Sequence, residues 1–351
     1  MRKMKKLGFG CMRLPMIGRR SGEVDIEQFK AMVDRYMQDG FCYFDTARIY
    51  ISGKSEQAIK TALVDRYPRE SFFLVDKLTG PLYDREEDIR PFVQSQLEAC
   101  GVRYFDGYLM HSMNRKWFDK AQKCHAFEVV KQLKAEGKIR HIGISFHDTP
   151  EMLEEILTAW PEVEMVQIQM NYLDWENPNV QSRGCYEVCR KFNKPVLVME
   201  PVKGGVLAAL PPEASALLNR FGSASDASYA IRYAASFEGV EMVLSGMSDR
   251  AQMEDNLHTM DAFVPLSADE FAALEQVVEI IHKAEQIPCT DCRYCVDGCP
   301  MQIPIPELFK AKNEGKWVDE DRADTCVGCG QCESVCPQHL PIVRLMKQLT
   351  G

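Results

Sequence analysis

The sequence predicts an α/β chain: a closed (β/α)8 barrel of the TIM type, then a small, mainly helical, cysteine-rich domain. Three observations carry this. Eight short, nearly continuous apolar runs alternate with eight segments of 3.6-residue periodicity through the first 260 residues. That is the pattern of parallel strands buried on both faces and joined by helices. The length left before the cysteine-rich end suits one barrel, so the domains are expected at 1–285 and 286–351. In the second of these, one four-cysteine pattern occurs twice at a spacing of 37 residues, which marks an internal duplication.

In chain order the expected strands are Leu7–Met12, Phe41–Asp45, Phe72–Lys77, Asp106–His111, His141–Phe146, Glu164–Gln169, Pro195–Glu200 and Glu241–Ser245. The expected helices are Ile26–Gln38, Ser55–Arg66, Asp88–Cys100, Ala121–Ala135, Pro150–Ala159, Val180–Lys191, Ser225–Ala235 and Arg250–His258, with a further helix at Ala268–Glu285. Eight such units close into a barrel. An open doubly wound sheet is the alternative. It needs a glycine-rich phosphate loop after the first strand, and Gly8-x-Gly10-x-x-Arg13 lacks the third glycine.

A barrel works at the C-terminal ends of its strands. Those ends carry Asp45, Lys77, His111, Ser145 and Gln169, with Tyr50 in the loop after the second strand. Singly each has an ordinary explanation. Asp45-Thr46 can cap a turn, His111 can be a core histidine, and Tyr50 a loop aromatic. Lys77 closing an apolar strand needs a partner if buried. Together they point to chemistry.

The cysteine domain reads Cys289-x2-Cys292-x2-Cys295-x3-Cys299-Pro300, then Cys326-x2-Cys329-x2-Cys332-x3-Cys336-Pro337. Pro-x-x-Ile303-Pro304-Ile305 is echoed by Pro-x-x-Leu340-Pro341-Ile342. A helix is expected near Pro306–Asn313. Three thiolates at steps of three can wrap one face of an iron–sulfur cube, and the fourth, before proline, reaches the neighbouring cube. Zinc is the alternative, but structural zinc sites use paired C-x2-C motifs without a third cysteine in step. The other six cysteines (Cys11, Cys42, Cys100, Cys124, Cys185, Cys189) are expected to be small buried hydrophobes. Cys185 and Cys189, four apart on a helix, could alternatively form a metal pair, without a third ligand nearby in sequence.

With 351 residues, 46% of them hydrophobic, the chain can bury a large core. A formal net charge of −9 argues against a nucleic-acid or anionic-membrane partner. The basic start Met1–Lys6 runs straight into Leu7–Gly10 without an apolar h-region, and no 18-residue apolar stretch follows. The expectation is therefore neither signal peptide nor membrane span, with a cytoplasmic location.

The double cysteine motif resembles that of bacterial ferredoxins with two 4Fe–4S clusters. The resemblance implies interleaved ligation: Cys289, Cys292, Cys295 and Cys336 for one cluster, Cys326, Cys329, Cys332 and Cys299 for the other. The barrel half resembles the aldo-keto reductases. Asp45-Thr46-Ala47-x-x-Tyr50 and Gly53-x-Ser55-Glu56 are similar to that family's signature. Gly143-Ile144-Ser145, Gln169-x-Asn171-Tyr172, Glu200-Pro201-x-x-Gly204-Gly205 and Gly246-x-Ser248-x3-Gln252-x3-Asn256 are similar to its cofactor segments.

This resemblance implies Asp45, Tyr50, Lys77 and His111 as the catalytic residues and a small-molecule carbonyl as substrate. Tyr50 would give the proton. A phenol's ordinary pKa of about 10 is high for that task, and Lys77, held by Asp45, is expected to lower it. A change of about 3 units corresponds to roughly 4 kcal/mol. His111 would orient the carbonyl oxygen. Ser145, Gln169 and Asn171 would meet the nicotinamide amide. Pro201, Gly205, Gly246, Ser248, Gln252 and Asn256 would receive the phosphates, with a helix N-terminus near Ser248 suited to an anion. NADPH is favoured over NADH. Two departures stand out. Met199 occupies the position where many relatives stack an aromatic ring, and Arg250 is the one arginine of the adenosine-side turn. The cysteine domain follows the barrel where the family places its substrate loops.

Nicotinamide moves electrons in pairs and a cluster moves them singly. A flavin normally converts between the two, and no flavin motif is present. The leading expectation is a carbonyl reductase whose clusters transfer electrons or dock a redox protein partner. The alternatives are a ferredoxin-type electron-transfer protein and a nicotinamide-binding redox sensor with little turnover.

Overall fold

The computed structural model describes residues 4–18, 22–222, 224–283, 286–316 and 318–349. Eight parallel strands close into a barrel: β1 (Leu7–Gly10), β2 (Tyr43–Asp45), β3 (Phe73–Thr79), β4 (Phe105–Met113), β5 (Ile139–Phe146), β6 (Met165–Gln169), β7 (Val196–Met199) and β8 (Val240–Ser245). Each pairs with its sequence neighbour, and β1 closes the ring on β8 through Leu7 opposite Val243. The open sheet is thereby excluded. Two strands run further than expected, β3 to Thr79 and β4 to Met113, while β1 stops at Gly10. A two-residue hairpin pairing Met16–Ile17 with Glu23–Val24 was not anticipated.

The barrel interior is filled in layers. Tyr43, Val75, Leu109, Met165, Leu197 and Met242 form one layer of buried apolar side chains. Gly143 leaves room for it: a Cβ there would lie 2.5 Å from Leu109 and 2.7 Å from the Met165 carbonyl oxygen. Side chains alternate in and out along a strand. The next inward residues on five of the strands are therefore Asp45, Lys77, His111, Ser145 and Gln167, all buried. Apolar packing below thus fixes the height of a polar layer above.

The helices Ile26–Gln38 and Pro150–Ala159 have the expected bounds. The single helix expected at Ala121–Ala135 is two, Arg115–Lys123 and Ala126–Ala135. His125 between them takes a left-handed φ of 49°, and Asn114 starts the first by accepting from the Trp117 amide at 3.0 Å. The helix expected to Glu285 runs from Ala268 to Lys283, and its last two expected residues lie outside the described ones.

Compactness does not follow the expected boundary at 285/286. Residues 202–230 and 267–351, with 177–180, form one unit, and the rest of the chain the other. The reason lies inside the second unit. The helix Pro212–Leu218 packs on the helix Ala268–Lys283. Gly204 also meets the cysteine domain so closely that a Cβ would stand 2.4 Å from the Thr290 carbonyl oxygen.

The duplication extends to the backbone. Asp291, Arg293 and Gln302 have φ values of 51°, 69° and 50°; Gly328, Gly330 and His339, each 37 residues later, have 65°, 73° and 50°. Short helices Tyr294–Asp297 and Gln331–Ser334 correspond, as do the starts of Ile305–Asn313 and Ile342–Leu349. Ile303, Ile305, Leu308 and Phe309 share one core with Leu340, Ile342 and Met346.

Candidate active site and cysteine centres

Lys77 is fully buried, so its charge requires compensation. Its Nζ donates to Asp45 Oδ1 at 2.6 Å and to the Thr46 carbonyl oxygen at 2.7 Å. Asp45 Oδ2 accepts from Gln167 Nε2 at 3.2 Å. Gln167, which carries no motif, thus joins the site through Asp45. Behind Lys77, Gln96 Nε2 lies 2.9 Å from Asp76 Oδ1 and 3.1 Å from the Lys77 carbonyl oxygen. Burial pushes the Asp76 carboxyl well above its usual range, and the neighbouring Glu56 adds to this.

Tyr50 is brought to the same place by the tight turn after β2, where Ile51 and Ser52 both have φ of 51°. Its ring centroid lies 4.8 Å from Lys77 Nζ and 6.0 Å from the His111 ring, edge to face. Burial, followed by the charges of Asp45 and Asp76, pushes the Tyr50 phenol well above its ordinary value. The expected lowering by Lys77 is thus corrected. The ammonium lies over the ring and is already paired with Asp45, whose charge works the other way. The phenol is held protonated.

His111 sits where β4 bulges: its register on β5 shifts between Met110 and Met113, and Ser112 takes φ of 54°. Such a bulge re-aims the side chains beside it. Burial, then the charge on Lys77, holds the imidazole well below its usual range, so it is neutral at pH 7. Thr79 Oγ1 lies 2.9 Å from Nδ1. With the hydroxyl donating there, the ring proton is on Nε2.

The expected cofactor residues divide into two groups. Ser145 and Gln169 are at the ends of β5 and β6, and Gln169 Nε2 donates to the buried Asp174 at 2.8 Å. Near them Glu200, with a left-handed φ of 55°, has a buried Oε2 that accepts no hydrogen bond. A carboxamide has both donors and an acceptor for such a rim, so the residues fit a nicotinamide.

Of the others, Asn171, Ser248, Gln252 and Asn256 make hydrogen bonds within the fold. Asn171 donates to Asp174 and to the Glu200 carbonyl oxygen and accepts from the Leu173 and Asp174 amides. It has no donor left for a nicotinamide. Asp249 caps the helix Arg250–Asp261 by accepting from the Gln252 amide at 2.9 Å, and Gln252 Oε1 accepts from the Ser248 amide at 2.8 Å. The Ser248 and Gln252 amides are thus engaged within the turn. Asn256 braces that helix to β8 through Ser245 at 2.8 Å. Gly246 is half-buried, Pro201 buried and Gly205 exposed with φ of 105°. Met199 is half-buried, and Arg250 is exposed beside Glu254.

In the second unit the eight cysteines ring two hollows. Cys299 joins Cys326, Cys329 and Cys332 around one, and Cys336 joins Cys289, Cys292 and Cys295 around the other. The donor set, three thiolates in step from one repeat and one from the other, fits a four-iron cluster in each. Among the remaining cysteines only Cys42 is half-buried; the other five are buried, and burial pushes Cys185 up to about 12.

Comparisons with known proteins agree on both halves. The model of the aldo/keto reductase family matches residues 6–279, and that of the 4Fe-4S dicluster domain matches residues 288–340. An uncharacterized oxidoreductase of Schizosaccharomyces pombe is 25% identical over 78% of this chain and 86% of its own length. The 9,11-endoperoxide prostaglandin H2 reductase of Trypanosoma cruzi is 27% identical over 50% of this chain, and the match spans 56% of that protein. Among solved structures, an aldo-keto reductase from Klebsiella pneumoniae in complex with NADPH has a TM-score of 0.64 and 19% identity, covering 78% of this chain and 91% of that one.

Proposed function

The chain belongs to the aldo/keto reductase family and carries a C-terminal 4Fe-4S dicluster domain, and from that premise we propose that it reduces an aldehyde or ketone to the alcohol at the barrel rim, using NADPH. The observation that carries the reading is one buried layer in which Tyr50, Lys77, Asp45 and His111 converge. A bound nicotinamide supplies the hydride that reaches the carbonyl carbon. Tyr50, held protonated, donates its hydroxyl proton to the developing alkoxide, which is the stronger base. The phenolate left behind lies beside the Lys77 ammonium, and Asp45 keeps that ammonium in place. His111, neutral and carrying its proton on Nε2, donates a hydrogen bond to the carbonyl oxygen and so favours the developing negative charge. Ser145 and Gln169 orient the nicotinamide amide, with Glu200 as an acceptor. NADPH rather than NADH is supported by the NADPH complex of the Klebsiella relative. Tyr50→Phe tests the reading: aldehyde-dependent NADPH oxidation should fall by at least about 100-fold, and unchanged turnover would reject it.

The two hollows each hold one 4Fe–4S cluster in this reading, with the ligands interleaved between the repeats. A cytoplasmic, reducing setting suits eight thiols kept for iron. A second reading, single-electron exchange with a redox protein, is favoured by the exposure of Cys329 and of Val327 beside it. In an anaerobic titration it predicts bleaching of the visible cluster absorbance by a reduced one-electron carrier; a spectrum that never moves contradicts it.

A further inference from the structure

Behind Lys77, between β3 and the helix Glu86–Cys100, lies a group of titratable side chains that the proposed chemistry does not use. Asp76 is buried outright, and Glu56 is 1% exposed. Their carboxyls are hydrogen-bonded to each other, which two carboxylates cannot be, since each would only accept. The donors around them are also too few for two ionised groups. Tyr108 donates to Gln96 Oε1 at 2.6 Å and so turns the Gln96 amide nitrogen toward Asp76 Oδ1, Glu56 Oε1 and the Lys77 carbonyl oxygen, at 2.9, 3.2 and 3.1 Å. Two N–H groups there face three acceptors. The charges give the same count. Among the described residues, the Lys77 ammonium is paired with Asp45 and the Arg48 guanidinium with Glu56, so no cation is left for Asp76. Cys100 and Tyr108, the other titratable groups against it, are pushed up by burial and stay uncharged.

We propose that Asp76 is held as the un-ionised acid, carrying the one proton of the Asp76–Glu56 pair, and that its neutrality leaves Lys77 free to stabilise the phenolate that Tyr50 becomes. Asp76 is a positioning residue by this account, since it acts through Lys77 and touches no substrate. The inference deepens the carbonyl-reduction reading and rests on it. The proton stays on Asp76 because Arg48 Nε stands 2.7 Å from Glu56 Oε2 and favours the ionised form there. Asp76 Oδ1 accepts from the Lys77 backbone amide at 2.8 Å, so any charge on it sits one residue behind the ammonium. An ionised Asp76 would be a second carboxylate beside Lys77, which Asp45 already pairs. It would oppose the negative charge that Tyr50 takes on when its O–H proton passes to the alkoxide. The Asp76 proton itself goes nowhere: it remains between the two carboxyls throughout.

Infrared difference spectroscopy of the full-length holoprotein at pH 7, wild type against Asp76→Asn, reads the proton directly. The C=O stretch of an un-ionised carboxylic acid should appear in the wild type alone; its absence would overturn the inference. Glu56→Gln removes the like charge that keeps Asp76 protonated and frees Arg48 to pair with it. The acid band should then vanish, and kcat for aldehyde reduction should fall at least about tenfold at pH 7. Glu56→Gln/Asp76→Asn should recover that loss, because asparagine offers the acceptor and donor of the protonated acid without its charge. A Glu56→Gln protein that keeps the band, or loses it at full turnover, would overturn the inference, as would a double variant slower than Glu56→Gln. A wild type that shows the band but reduces no carbonyl would overturn the reading of the reaction and not the placement of the proton.

Discussion

The barrel rim and the cysteine domain assemble their working groups in opposite ways. Lys77 and Asp45 are 32 residues apart in sequence, and Gln167 and Asp45 are 122 apart. They meet because a closed sheet stacks equivalent inward positions at one height. Each is buried and each depends on the others for its hydrogen bonds. In the cysteine domain, three cysteines of each set lie within seven consecutive residues, and the fold has only to bring Cys299 and Cys336 across between the repeats. The first site should therefore fail through uncompensated charge and the second through loss of metal.

The largest expected effect separates the two regions outright. Cys336→Ser should remove about four of about eight irons per chain, measured by iron and sulfide analysis, while aldehyde reduction stays within about twofold; loss of both together would break the comparison. Next, Lys77→Met leaves Asp45 buried without its cation and should cost about 3–5 kcal/mol in urea unfolding of the barrel. Removing the carboxylate as well, in Lys77→Met/Asp45→Leu, should recover much of that.

Asn171→Ala should cost about 1–3 kcal/mol by leaving Asp174 and the Glu200 carbonyl short of a donor. Ser145→Ala should instead weaken nicotinamide binding with little change in unfolding. Equal cofactor affinity in the two variants would mean that neither Ser145 nor Asn171 has the place given to it here.

The smallest effect is a slope. Burial lowers the His111 pKa in the folded chain, so below the unfolded value of about 6.5 the unfolded chain takes up the proton first. Stability then falls as pH falls, by about 1.4 kcal/mol per pH unit, until the folded pKa is reached. His111→Asn should flatten that part of the curve between about pH 6 and 5, read from urea midpoints; an identical slope would show that His111 is not buried neutral.

Much of this was legible before the fold. The cysteine spacing announced the duplication because ligation geometry is local, and the repeat carries even its left-handed positions at 291, 293 and 302 over to 328, 330 and 339. The eight strands were legible from apolar runs, and Asp45, Lys77 and His111 from where those runs end. Gln167 was not, because it carries no motif and acts through Asp45. Ser248 and Gln252 were expected beside the phosphates; in the fold the Gln252 side chain accepts from the Ser248 amide and Asp249 caps the helix. The Tyr50 phenol was expected low and is held high, since burial depends on packing that no motif encodes.

The central claim is that the rim does proton-coupled carbonyl chemistry in a chain that also holds iron–sulfur clusters. One anaerobic preparation tests it: iron and sulfide content together with aldehyde-dependent NADPH oxidation, for the wild type and Tyr50→Phe side by side. The account predicts the same cluster content in both and turnover in the wild type alone. Equal turnover in Tyr50→Phe, or a wild type that reduces no carbonyl across a broad panel, would contradict it.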